Sequence, residues 1–175
     1  MKLFKNLFLL SLVIMISSCS KDITFDSPVQ AELRGTWIPL LYTYEGHTTI
    51  TGNESFESQT FSGFGWEMNF QMEFGENPNS YSLIGTYFLD HSVTNDQGQF
   101  YILTTYNVIH DQGSWSMASN DVSVMVDDVT TVMTISELTE TSLILRISTT
   151  SSEIASDNVT TTETSINEEY VLQRL

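Results

Sequence analysis

The side chains of this sequence best suited to chemistry are one thiol, three imidazoles and 22 carboxylates. The thiol, Cys19, has no second cysteine with which to form an internal disulfide. It follows an apolar run, Leu7 to Ile16, and two small residues, Ser17 and Ser18. The imidazoles are His47, His91 and His110. Two of them sit beside an aspartate, in Asp90-His91 and His110-Asp111. Histidine with carboxylate is a zinc-binding set. Adjacent residues of a strand point to opposite faces, however, so the plainer reading is of polar strand ends beside turns. No loop carries the Asp-x-Asp-x-Asp-Gly spacing of a calcium site. Gly63-Phe64-Gly65 begins like a dinucleotide loop, but Met68 stands where the third glycine belongs. Gly-x-Ser-x-Gly, Cys-x-x-Cys and His-Glu-x-x-His are all absent. No nucleophile, base and orienting group can be assembled. The expectation is therefore a protein without catalytic residues, metal or cofactor.

The elements that carry these residues begin with an address. Lys2 and Lys5 make a positive start, and the apolar run that follows is too short to span a bilayer, which takes about 20 residues. Ile16-Ser17-Ser18-Cys19 resembles the lipobox of bacterial lipoproteins. That resemblance implies cleavage between Ser18 and Cys19, a diacylglycerol on the Cys19 thiol and acylation of the new amine. The expected organisation is a signal peptide over 1–18, a lipidated tether over 19–26 and one domain over 27–175. The whole chain has 175 residues, six basic and 22 acidic, with a net charge of −16. Loss of 1–18 would leave four basic residues, Lys21, Arg34, Arg146 and Arg174. Nucleic acid is excluded as a partner, because phosphate binding needs a basic face. An anionic membrane surface would repel such a body, yet several acyl chains on Cys19 would hold it there. The hydrophobic fraction of 41% is too high for a wholly disordered chain.

Ser27, Pro28 and Gln30 fit the start of one short helix over 27–35, ended by Gly35. Beyond it the pattern is of strands. Met68 to Phe74 alternates apolar and polar without a break. Thr36 to Tyr44, Tyr81 to Asp90, Phe100 to His110, Trp115 to Val126, Val129 to Ile135, Leu143 to Ser148 and Tyr170 to Leu175 follow the same logic. Asn77-Pro78-Asn79-Ser80, Asn95-Asp96-Gln97-Gly98, Asp111-Gln112-Gly113 and Asp127-Asp128 read as turns. Residues 51–65, rich in Gly, Ser and Thr, and the acidic Ser/Thr stretch 149–167 read as surface loops. Eight to ten strands with short connections predict an antiparallel barrel or sandwich.

Gly35-Thr36-Trp37 opens the first strand, Ile135 to Thr139 leads into Leu143-Ile144-Leu145, and the chain ends Glu169-Tyr170-Val171-Leu172-Gln173-Arg174-Leu175. Behind a lipobox, this combination resembles the lipocalin-like lipoproteins of the Bacteroidota over about residues 32–175. The resemblance implies an all-β fold: an antiparallel up-and-down (calycin) β-barrel of about eight strands. It gives Gly35, Trp37 and Arg174 a structural role, with the arginine packed across the indole at one end of the barrel. It also implies a bacterial cell-envelope location, at the outer membrane. The loop-like stretch 51–65 departs from the pattern and leaves the barrel open or irregular on that side.

An eight-stranded barrel is either filled by its own side chains or holds one small ligand. Tyr44, Phe70, Met72, Tyr87 and Tyr106 are the candidate ligand-binding residues, since aromatic and methionine side chains line apolar sites. The same residue types also fill cores. Two functions remain open. One is a membrane-anchored carrier of a small apolar or amphipathic molecule. The other is a filled barrel that meets an envelope protein or glycan through 51–65 and 149–167.

Overall fold

A computed structural model describes residues 32–52, 56–76, 78–156 and 159–175. The signal peptide, Cys19, the tether and residues 27–31 of the expected helix lie outside the described residues; Glu32 and Leu33 are helical. The rest is strand. The elements are β1 (Gly35–Thr51), β2 (Phe56–Phe74), β3 (Ser80–Asn95), β4 (Phe100–Ala118), β5 (Asp121–Val126), β6 (Val129–Leu138), β7 (Ser142–Ile154) and β8 (Thr161–Arg174). They close in chain order into one barrel, each antiparallel to the next, with β8 returning to β1. The expected all-β up-and-down barrel is thus the observed architecture.

Alternation builds its core. Phe70, Met72 and Phe74 from β2 face Tyr81 and Leu83 from β3, with Trp115, Val122, Leu143, Leu145 and Leu172 completing the ring. Their outward neighbours are polar or exposed. Trp37 lies at the base of this cluster, fully buried. The Arg174 guanidinium carbon is 4.3 Å from the indole centroid. Arg174 also donates to the carbonyls of Arg34 (2.6 Å), Glu140 (2.7 Å) and Glu32, while Trp37 Nε1 donates to the Leu33 carbonyl at 2.9 Å. Gly35 has φ +131, and a Cβ there would stand 2.8 Å from Arg174 Nη1. The three signature residues therefore form one sealed end.

Three expectations about loops are corrected. Most of 51–65 is strand: β2 starts at Phe56 and pairs with β1 (Tyr44↔Gly63) and with β3 (Phe64↔Asp90). Most of 149–167 is also strand, with Thr149↔Ile166 through Ile154↔Thr161 in register. Flanking partners supply ladder hydrogen bonds whatever the composition, and threonine suits a strand well. Gly63 is a packing requirement, since a Cβ there would strike the Tyr44 ring. Likewise Asp111-Gln112-Gly113 is no turn. β4 runs straight through it to Ala118, and Gly113 admits the Met125 carbonyl of β5. Asp127 and Asp128, with φ 48 and 64, do form a tight turn.

The strands are unequal, and this shapes the barrel. β5 pairs with β4 only from Ser114 to Ala118, and β6 pairs with β7 only from Leu143 to Arg146. The sealed end is eight strands round. Above it, β7, β8, β1, β2, β3 and β4 continue as a six-stranded sheet with two margins unpaired among the described residues, Phe100–Gln112 of β4 and Ile147–Ile154 of β7.

Candidate functional site

Each residue proposed to bind a ligand has a distinct place. Phe70 and Met72 are 2% and 0% exposed inside the core and present no surface to a ligand. Tyr87 belongs to a layer of tyrosines that roofs the core. Tyr42 stacks on Tyr170 at 4.6 Å, and Tyr87 meets Tyr42 edge-on at 5.7 Å. The hydroxyls of Tyr42 and Tyr170 both donate to Glu168 Oε2, at 3.1 and 3.3 Å. Burial, reinforced by the Glu168 charge, holds the Tyr42 hydroxyl far above the usual tyrosine range. Burial does the same for Tyr170, helped by Tyr42 and Glu168. Tyr44 stands one step higher, stacked with His91 and sharing a hydrogen bond with His91 Nδ1. Phe61 closes this group, 5.8 Å from His91. Tyr106 is on the other side of the sheet, exposed and 5.1 Å from Phe88, which stacks on Trp66. The five candidates therefore do not converge on one cavity.

The histidines do not converge either. His91 packs with Tyr44, while His110, opposite Ile84, alternates with the inward Ile109. His47 lies on β1 between Thr60 and Ser165. Among the described residues, no three His, Cys, Asp or Glu side chains gather to hold a metal.

A groove of about 860 Å³ runs across the six-stranded sheet. Its lining follows the pairing register: Arg146↔Glu169↔Thr43↔Phe64↔Asp90 in one row, and Ser148↔Asn167↔Glu45↔Ser62↔Ser92↔Ile102 in the next. These positions alternate with the inward Leu145, Tyr170, Tyr42 and Tyr44, so they belong to the outer face. Phe64, Phe100 and Ile102 form an apolar wall. Glu45, Asp90 and Glu169 supply carboxylates, and Arg146 is held by Glu169 at 2.8 Å. Hydroxyl and amide groups are ordered between them: Ser62 with Ser92 at 2.9 Å, Ser148 to Asn167 at 2.8 Å and Thr104 to Asp90 at 2.5 Å. A second hollow of about 440 Å³ shares Glu45, Ser62, Ser92, Phe100 and Asn167 and continues toward His47 and Thr94.

Such a groove can hold an amphipathic molecule, with its apolar part on Phe64 and Ile102 and a cationic or hydroxylated part near the acids. Tyr44 alone of the proposed ligand residues also lines it. Sequence reasoning sought the site inside the barrel. The missed signal is Phe100-Tyr101-Ile102-Leu103, apolar at both parities, in a barrel whose other strands are mostly polar outside. No family model, no curated protein and no solved structure matches the chain.

Proposed function

We propose that this chain is a membrane-anchored, lipocalin-like lipoprotein of the bacterial envelope that binds a small amphipathic molecule on the outer face of its barrel. The carrying observation is the groove of about 860 Å³, apolar on one wall and acidic along its floor. The interior offers the weaker case, because Phe70 and Met72 are sealed under the tyrosine layer. The lipobox-like Ile16-Ser17-Ser18-Cys19 supports the anchor, and the Trp37–Arg174 pair supports the lipocalin-like reading. The strands are apolar inward and mostly polar outward, opposite to strands that face lipid. Cys19 would therefore carry the membrane attachment, with the barrel held in water. An excess of carboxylates in the groove favours a neutral or cationic head group over an anionic one.

Native mass spectrometry of the full lipoprotein, gently extracted from its host, tests this. A discrete non-covalent adduct is expected, lost in Phe64→Glu and retained in Tyr87→Phe. An adduct indifferent to Phe64→Glu, or a mass without adduct in the unaltered protein, would overturn the outer-groove reading.

The alternative of a partner-binding module draws support from a different surface than 51–65 and 149–167, namely the free margin of β4.

A further inference from the structure

The upper half of β4 is unusual in three ways at once. Its margin from Phe100 to Gln112 has no strand beside it among the described residues. Both of its faces are exposed and apolar near the start: Phe100 and Ile102 on one, joined farther along by Tyr106 and Val108, and Tyr101 and Leu103 on the other. From Phe100 to Ile109 it carries no charge, in a chain with 28 Asp, Glu, Lys and Arg residues counted as 22 acids and six bases. Edge strands are ordinarily protected by lysines, prolines, bulges or shortness. This one has none of these. At about 3.4 Å per residue the ten uncharged positions Phe100–Ile109 alone offer roughly 35 Å of open edge. The other margin, Ile147–Ile154, is mainly serine and threonine and ends in Glu153-Ile154.

We infer that β4 pairs with β4 of a second copy, antiparallel about a two-fold axis at Thr105, joining two barrels through one continuous sheet. The strand's own sequence selects this occupant. Two copies, each with 22 acidic residues, repel elsewhere, and the uncharged stretch Phe100–Ile109 is where they can approach most closely. A basic partner strand would find no carboxylate along Phe100–Ile109. The sequence is also self-complementary in this register. Ile102, 61% exposed, falls opposite Val108, 71% exposed, of the other copy. Tyr101 falls opposite Ile109, Leu103 opposite Asn107, and Thr105 opposite itself. Opposed residues have the same parity, so Ile102 meets Val108 on one face and Tyr101 meets Ile109 on the other. The contact is isologous and closed, which limits assembly to a dimer. Pairing of β4 with the Ser/Thr margin of β7 would instead propagate head to tail without closure.

Sedimentation velocity of the full lipidated chain in detergent tests the pairing. The unaltered protein is expected to be a dimer at micromolar concentration. Ile102→Lys with Val108→Lys sets lysines opposite one another at both symmetry-related positions, and association should weaken at least ten-fold. Ile102→Lys with Val108→Glu sets opposite charges there and should restore association to within a few-fold. If the charged variants fail to fold, Thr105→Cys gives a separate test: mild oxidation should yield a covalent dimer that the parent chain does not form. A monomer across the concentration range, leaving the margin to a strand of another protein, would overturn the inference. So would a dimer that ignores the paired lysines, or one that Lys/Glu fails to restore.

Discussion

Arg174 lies across the Trp37 indole, its guanidinium carbon 4.3 Å from the ring centroid, and so joins the last strand to the first at the sealed end of the barrel. The same guanidinium donates to three carbonyls, of Glu32, Arg34 and Glu140. Arg174→Ala removes the cation–π contact and leaves those acceptors to water, at an expected cost of about 2–4 kcal/mol. Arg174→Lys keeps the charge without the planar fork and should recover less than half of that loss. The midpoint of urea unfolding measures both. Equal midpoints for the three proteins would remove the pair from the account of stability.

Inner and outer aromatics should separate cleanly. Phe70→Ala opens a void in the core and should cost about 3–5 kcal/mol. Phe64→Glu alters an exposed outer side chain and should leave the unfolding midpoint nearly unchanged while abolishing binding of a neutral dye such as Nile red. Dye binding that follows Phe70 and ignores Phe64 would return the site to the interior.

Alkaline pH should unfold the protein through its tyrosines. Tyr42, Tyr81 and Tyr170 are all raised chiefly by burial. In the unfolded chain each ionises near pH 10. Their folded-state pKa values are higher, so the native state holds its phenolic protons more tightly. The contribution to stability is complete below about pH 10 and declines as the pH rises above it. Tyrosinate absorbance should appear for these residues together with loss of the near-ultraviolet dichroism of the fold. Tyr42→Phe should make the alkaline decline shallower. An unchanged decline would mean that Tyr42 does not report the transition.

Cys19→Ala should release the protein from membranes and remove the mass of the acyl groups. Fractionation and intact-mass measurement check both effects. A variant that remains membrane-bound would refute the lipobox reading.

The fold was legible where the side-chain pattern is strong. Met68-Asn69-Phe70-Gln71-Met72-Glu73-Phe74 alternates because one face packs in the core, and the closed eight-stranded barrel follows from many such segments with short connections. Gly35, Trp37 and Arg174 were named through the resemblance to lipocalin-like lipoproteins, and the structure gives each residue type a physical reason: a left-handed backbone, a large buried ring and a planar cation. The stretches 51–65 and 149–167 misled because their strands lie mostly above the core, where small and hydroxylated residues replace an apolar alternation, and pairing with the adjoining strands fixes them as strand. No alternation marks such a segment. The groove was illegible for a related reason. It is assembled from two or three residues on each of six strands, brought into rows by register alone, and no local spacing encodes register across strands so far apart in the chain.

The pairing of β1 with β8 also governs when the fold can exist. In an up-and-down barrel every other neighbour is available as soon as the next strand arrives. β1 alone must wait for the C-terminus, through a contact such as Arg174 to Arg34 that spans 140 positions. The β1–β8 pairing thus closes the ring through contacts the most distant in sequence, the non-local kind whose loop-closure cost slows folding.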